Sequence, residues 1–172
     1  MKVLLAHPGT QYSYHLAYQL EKNNLLYQFH TGFAFGKYSW LENLVNYFPV
    51  QLRKKVLNRF VSGVSNQRIK SHLIPELVFF VKRFFSTNSE QIISQRNHIF
   101  QQSISNACIQ EADVIIGFDT SSWLLVERCK ALGKQFILDV SIGHPLSKEK
   151  IYKELGQRYP LWVKHFIPKA QY

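Results

Sequence analysis

Three short runs constrain the fold of this chain more than anything else in it: KVLLA (residues 2–6), DVIIGF (113–118) and QFILDV (135–140). Each is apolar on consecutive positions, so neither face is left for water, and strands of this kind belong in parallel sheets covered on both sides. KVLLA leads through the loop HPGTQYS into helical spacing at about 13–23, and LLYQFH (25–30) reads as the next strand, completing a βαβ unit. DVIIGF, a helix from about Ser122 to Leu132 stopped by Gly133, and QFILDV make a second unit. The expected class is therefore α/β: one domain over residues 1–172, built as a Rossmann-like open parallel sheet with helices on both faces.

The middle third reads differently. Residues 41–48 and 50–61 carry helical spacing, with Pro49 at the first turn of the second helix. On a wheel, Leu52, Val56, Leu57, Phe60 and Val61 share one half, Lys54, Lys55, Asn58 and Arg59 the other, and Arg53 intrudes on the apolar side. That pattern fits an ordinary surface helix with a solvated basic side. It also fits an interfacial helix that meets anionic lipid through Lys54, Lys55 and Arg59, helped by Lys82 and Arg83. TGFAFGKYSW (31–40) reads as an aromatic loop, residues 72–74 as a short strand, and Pro75 as the start of a helix running to a basic and aromatic end at 82–85. A helix is expected from Gln91 to about Gln110, and a charged one after Pro145, capped by Ser147 and covering 148–155.

Charge narrows the partners. With 21 Lys+Arg against 11 Asp+Glu, the net charge of +10 attracts nucleic acid, anionic head groups or phosphorylated small molecules alike. No recognition helix, ribonucleoprotein-type aromatic signature or zinc finger is present, so nucleic acid is not the expected partner. No apolar run approaches the roughly 20 residues that cross a bilayer. The expected location is the cytoplasm, with peripheral attachment to the inner face of the cell membrane as an option. Cys108 and Cys129 have no metal-ligand neighbours in sequence and read as small core residues, leaving no metal or cofactor to expect.

In an open parallel sheet, ligands bind beyond the carboxyl ends of the strands. The residues there are polar: His7, Pro8, Gly9, Thr10 and Gln11 after the first strand, His30 and Thr31 after the second, Asp119, Thr120 and Ser121 after DVIIGF, and Ser141, Gly143 and His144 after FILDV. Taken singly these are ordinary capping and turn residues. Convergence of four loops and three histidines on one cleft is what would make them a site. GxxxxGK[ST], HExxH, CxxC and GxSxG are all missing, which removes the usual phosphate-loop, metal and hydrolase readings.

The run ADVIIGFDTSSWLLVERCKALGKQFILDVSIGHP (112–145) resembles the N-terminal half of retaining, family 4 type glycosyltransferases of the GT-B fold. KVLLAHPGTQYSYHLAYQLEK is similar to the first strand and acceptor-side loop of that family, and the likeness extends over about residues 1–155. It implies an acceptor-binding domain facing a second half that holds a nucleotide-sugar donor. By the same resemblance, Pro8, Gly9, Thr10 and Gln11 would shape the acceptor and donor-phosphate side, Asp119, Thr120 and Ser121 would line the acceptor pocket, and His144 would approach the reacting sugar on a rigid Gly-His-Pro turn. The acceptor would be a saccharide or a lipid-linked sugar, and no metal is implied. The family's donor-binding half has no counterpart here, so the chain reads as a fragment, the product of an interrupted frame, or one partner of a split transferase. A non-catalytic subunit that recruits such an enzyme to the membrane is the alternative, and a basic nucleic-acid-binding domain is a more remote one.

Overall fold

The computed structural model describes residues 1–10, 12–37, 40, 47–85, 89–140, 143 and 145–163. The chain divides into two compact units, Met1–Asp139 and Val140–Tyr172. The first is α/β. Its strands and helices run β1 (Val3–His7), α1 (Ser13–Lys22), β2 (Leu26–Thr31), β3 (Phe35–Lys37), α2 (Val50–Leu57), β4 (Phe60–Ser65), β5 (Ile69–Ser71), α3 (Leu73–Phe85), α4 (Ser89–Ser103), α5 (Asn106–Glu111), β6 (Val114–Phe118), α6 (Trp123–Ala131) and β7 (Gln135–Asp139). Five strands form one parallel sheet in the order β5-β2-β1-β6-β7. The Rossmann-like open sheet is as the sequence indicates.

Alternation along the central strands divides the core in two. Leu4, Ala6 and Ile115 face Phe100, Ile104, Ile109, Leu125 and Cys129, so α4, α5 and α6 cover one side. Leu5, Phe29 and Phe118 face Ala17, Val61 and Val64 on the other, where α1 and a small second sheet, β3 paired with β4, form the cover. Phe29, Phe100 and Phe118 are fully buried, and burial of each such side chain contributes about 1.5–3 kcal/mol. Cys129 belongs to this core, and Cys108 packs at its margin. Gly133, with φ +65°, ends α6 in the left-handed conformation that favours glycine.

Helices α4 and α6 cap each other. The Gln101 side chain, wholly buried, accepts from the Leu124 and Leu125 N–H groups at 2.8 and 3.1 Å, first-turn donors of α6 that no helical carbonyl can reach. In return Arg128 of α6 donates to the Gln101 carbonyl at 2.7 Å and to the Ile104 carbonyl, near the end of α4. Ser122, the residue before α6, does not cap it, because its hydroxyl accepts from Phe118 N–H at 2.9 Å instead.

Several boundaries differ from the sequence reading. Helix α2 stops at Leu57, and Phe60 and Val61 begin β4. Val61 fills the core and Phe60 packs on Phe35 from a strand, so they share no helical face with Val56. The aromatic loop holds β3, tied to the residue before β4 by Phe35 N–H to the Arg59 carbonyl at 3.1 Å. The strand expected at 72–74 lies at Ile69–Ser71, and the next helix starts at Leu73 with Pro75 inside its first turn, where the missing N–H costs nothing. The helix expected from Gln91 to about Gln110 is two helices, because Ser105 caps a new one by accepting from Cys108 N–H at 3.2 Å. Strand β7 is an edge strand, with Ile137 and Leu138 about half exposed, so it is not buried on both faces. The segment 41–46 lies outside the described residues.

The second unit holds α7 (Pro145–Arg158) and α8 (Pro160–Val163). Helix α7 begins at Pro145, whose fixed φ suits a first turn, so Ser147 is inside the helix and does not cap it.

Candidate functional site: the crevice between β1 and β6

The chain leaves β1 toward β2 on one side, while β6 leads to β7 on the other. Their loops diverge, and this switch point is where open α/β sheets form a crevice. His7 ends β1, is 6% exposed, and sets its ring edge-on to Phe118 at 4.7 Å. Its Nδ1 meets both the carbonyl and the N–H of Gly9, at 2.9 and 3.1 Å, so the tautomer decides which bond forms. Burial lowers its proton affinity below the usual value of 6.5; the Gly9 backbone opposes this, Arg96 adds to it and Asp119 opposes it. A neutral imidazole at pH 7 follows.

Neighbouring elements lace the rim together. Gly32 N–H donates to the Pro8 carbonyl at 3.2 Å, and Asp119 N–H to the Asp139 carbonyl at 3.0 Å. Asn97 of α4, almost fully buried, donates to the Thr120 carbonyl at 2.8 Å and holds that residue at φ +65°. Arg96 lies over Phe79 at 5.2 Å and donates to Asn97 Oδ1 at 2.9 and 3.1 Å. Burial lowers the pKa of its guanidinium, nearby Glu76 raises it and Arg59 lowers it again.

On the β2 side, Gly32 lets the carboxylate of Glu76 come close. A methyl group at Gly32 would fall 2.3 Å from Glu76 Oε1 and 2.6 Å from the Pro8 carbonyl. Glu76 is 6% exposed. Nearby, the buried hydroxyls of Tyr14 and Thr31 complete no well-formed hydrogen bond among the described residues. Burial raises the pKa of Tyr14, while the charge of Arg59 and the proximity of Arg59 and Thr31 act against it. Thr10, Phe33, Lys55, Arg59, Glu76 and Phe80 enclose a cavity of about 440 Å³.

The structure brings together most of the sequence candidates that it describes. Thr10 lines the cavity, and Pro8 and Gly9 shape the first loop through their backbone. Asp119 is half-buried within electrostatic reach of His7, and Thr120 is exposed. Ser121 is buried, and its hydroxyl turns back to the Phe118 carbonyl at 3.4 Å, which serves the turn. Lys54 and Lys55 are exposed on the last turn of α2, whereas Arg59 is half-buried beside Tyr14. Gln11, Ser141 and His144 lie outside the described residues.

One histidine does not join the crevice. His30 lies within β2 on the helical side, stacked on His72 with ring centres 5.1 Å apart. Its Nδ1 meets His72 Nε2 at 2.9 Å, and His72 Nδ1 meets the Ser103 hydroxyl at 2.7 Å. Sequence reasoning also passed over Glu76, Arg96, Asn97 and Gln101. A signal existed for the last two: polar residues four apart, interleaved with Phe100 and Ile104 on what would otherwise be an apolar helix face. Compared with protein-family models and with curated proteins, the chain matches none.

Proposed function

We propose that this chain is the acceptor-binding side of a retaining glycosyltransferase that uses a nucleotide-sugar donor held by a second domain or a partner chain. The observation that carries the reading is the crevice itself: loops after β1, β2 and β6 meet at the switch point with His7, Asp119 and Glu76 among them. The resemblance of residues 112–145 to the acceptor half of such enzymes agrees with that placement. Neutral imidazole, carboxylate and amide groups held by a rigid scaffold suit the binding and orientation of a polyhydroxylated substrate, which is the part of catalysis that positioning supplies.

Attachment to a membrane has its own support, and it comes from a different helix than α2. Helix α3 buries Pro75 and Glu76 but exposes Leu73, Ile74, Leu77, Phe80 and Val81, ending in exposed Lys82 and Arg83. An apolar stripe with a basic end is what an interfacial helix presents to anionic lipid. Among the described residues, no helix is long and apolar enough to cross a bilayer.

Amide-shift mapping on the whole chain tests both readings. A saccharide acceptor is expected to move the signals of Thr10, Phe33, Asn97 and Asp119, and anionic bicelles those of Leu73, Ile74 and Leu77. Saccharide-induced shifts confined to the opposite, amino-terminal edge of the sheet would contradict the first reading, and an α3 unmoved by bicelles the second.

A further inference from the structure

We infer that Asn97 is a positioning residue for the acceptor: it pins the turn after β6 in a conformation that the turn's own sequence disfavours, and so sets where Asp119 stands in the crevice. The service to an acceptor rests on the reading above, whereas the pinning stands on the geometry alone.

The turn runs from Phe118 to Ser121 and is closed by Ser121 N–H on the Phe118 carbonyl at 3.3 Å. Of its two central residues only Thr120 has a positive φ, +65°. That is the pattern of a type II turn, whose third position is normally filled by glycine or asparagine. A β-branched residue is strained there, and such a conformation persists where its surroundings over-determine it. Asn24, the other non-glycine residue with positive φ among the described residues, is of a type that tolerates it.

The surroundings that hold Thr120 can be named. The peptide between Thr120 and Ser121 is tied at both ends, its N–H to Phe118 and its carbonyl to Asn97 Nδ2 at 2.8 Å. The peptide before Asp119 is tied through Asp119 N–H to the Asp139 carbonyl at 3.0 Å. Between these two fixed planes the chain passes through the left-handed region at Thr120. Asn97 reaches in from α4 and is 2% exposed. Its amide cannot turn over, because Oδ1 accepts two bonds from Arg96 at 2.9 and 3.1 Å, which leaves Nδ2 for the Thr120 carbonyl. Arg96 is itself held over Phe79 of α3, and Gln101 donates to the Asn97 carbonyl at 2.9 Å. Without the Asn97 donor, Thr120 relaxes to negative φ. The Asp119–Thr120 peptide then turns over, and Asp119 shifts relative to His7.

The test is amide hydrogen exchange by NMR on the whole chain, with methyl α-glucoside titrated as the saccharide probe. Asn97→Ala is expected to speed exchange of the Asp119 and Ser121 amides at least about tenfold relative to those of Leu5 and Ile115 in the core, and to weaken glucoside binding by a similar factor. Thr120→Gly takes a positive φ freely, so adding it to Asn97→Ala should return both quantities to within about threefold of the unaltered chain. Loss of a residue that merely fills the interior would not be rescued in this way, and absence of rescue overturns the inference. Thr120→Pro, at an exposed position and fixed at negative φ, should reproduce the Asn97→Ala effect with Asn97 still in place. Unchanged exchange and binding in that variant overturns the inference even if Asn97→Ala does not fold. Exchange that is lost and rescued as expected, while the glucoside moves no amide of the crevice in the unaltered chain, overturns the acceptor reading and leaves Asn97 as the pin of the turn.

Discussion

Lowering the pH from 7 to 5 is expected to destabilise the fold by at least about 2 kcal/mol, the loss that His30 alone contributes when the unfolded chain takes up a proton that the native chain refuses. His30 is 3% exposed, and burial, followed by the proximity of His72 and then Lys70, pushes its proton affinity down to about 3. A native value below the unfolded one favours the neutral ring in the folded state. Stability is therefore fully present above about pH 6.5 and is lost as the pH falls toward about 3. His72, lowered by burial, and His7, lowered chiefly by burial, act in the same direction. The window from pH 7 to 5 stays above the carboxylate range, so the change reports histidines. Urea unfolding at closely spaced pH values is the measurement. His30→Gln should flatten the dependence by about one proton, or about 1.4 kcal/mol per pH unit. A stability that does not change between pH 7 and 5 would contradict the stacked, neutral His30–His72 pair.

Gln101→Leu is expected to cost about 4 kcal/mol, more than most single substitutions at such a site, while nearly conserving volume. The leucine would leave the Leu124 and Leu125 N–H groups without their acceptor in the interior, and the Asn97 carbonyl without the Gln101 amide that donates to it at 2.9 Å. Each buried, unsatisfied group costs about 1–3 kcal/mol. The effect should extend to the crevice, because Asn97 precedes Gln101 by one turn and holds the Thr120 carbonyl. Chemical denaturation gives the magnitude, and a loss under about 1 kcal/mol would mean that α6 finds its cap elsewhere.

How much could be read from the chain follows from where the energy lies. β1, β6 and β7 were legible because consecutive apolar residues bounded by turns have few alternatives. That β7 is an edge strand was not legible, since Phe136, Ile137 and Leu138 look like any central strand until the neighbours are known. β3 and β4 escaped notice for a different reason. Phe35–Lys37 is three residues long, and Phe60 and Val61 continue the helical spacing of α2, so only the pairing of the two segments makes them strands. Of the site, the loop residues Pro8, Thr10 and Asp119 could be found by their position after strands. Glu76 could not, because its burial depends on Gly32, 44 positions away in sequence but in contact in space. His30 was misplaced by one layer: residues at a strand's end alternate sides, and a single step decides between the crevice and the helical core.

The most direct measurement is transfer of a labelled sugar from a nucleotide-sugar to a saccharide acceptor by this chain together with a donor-binding domain. Transfer is expected only when both are present. Asp119→Asn is expected to lower kcat/KM for the acceptor at least about tenfold while the KM of the donor stays the same. Full turnover in Asp119→Asn would contradict the claim that this crevice holds the acceptor.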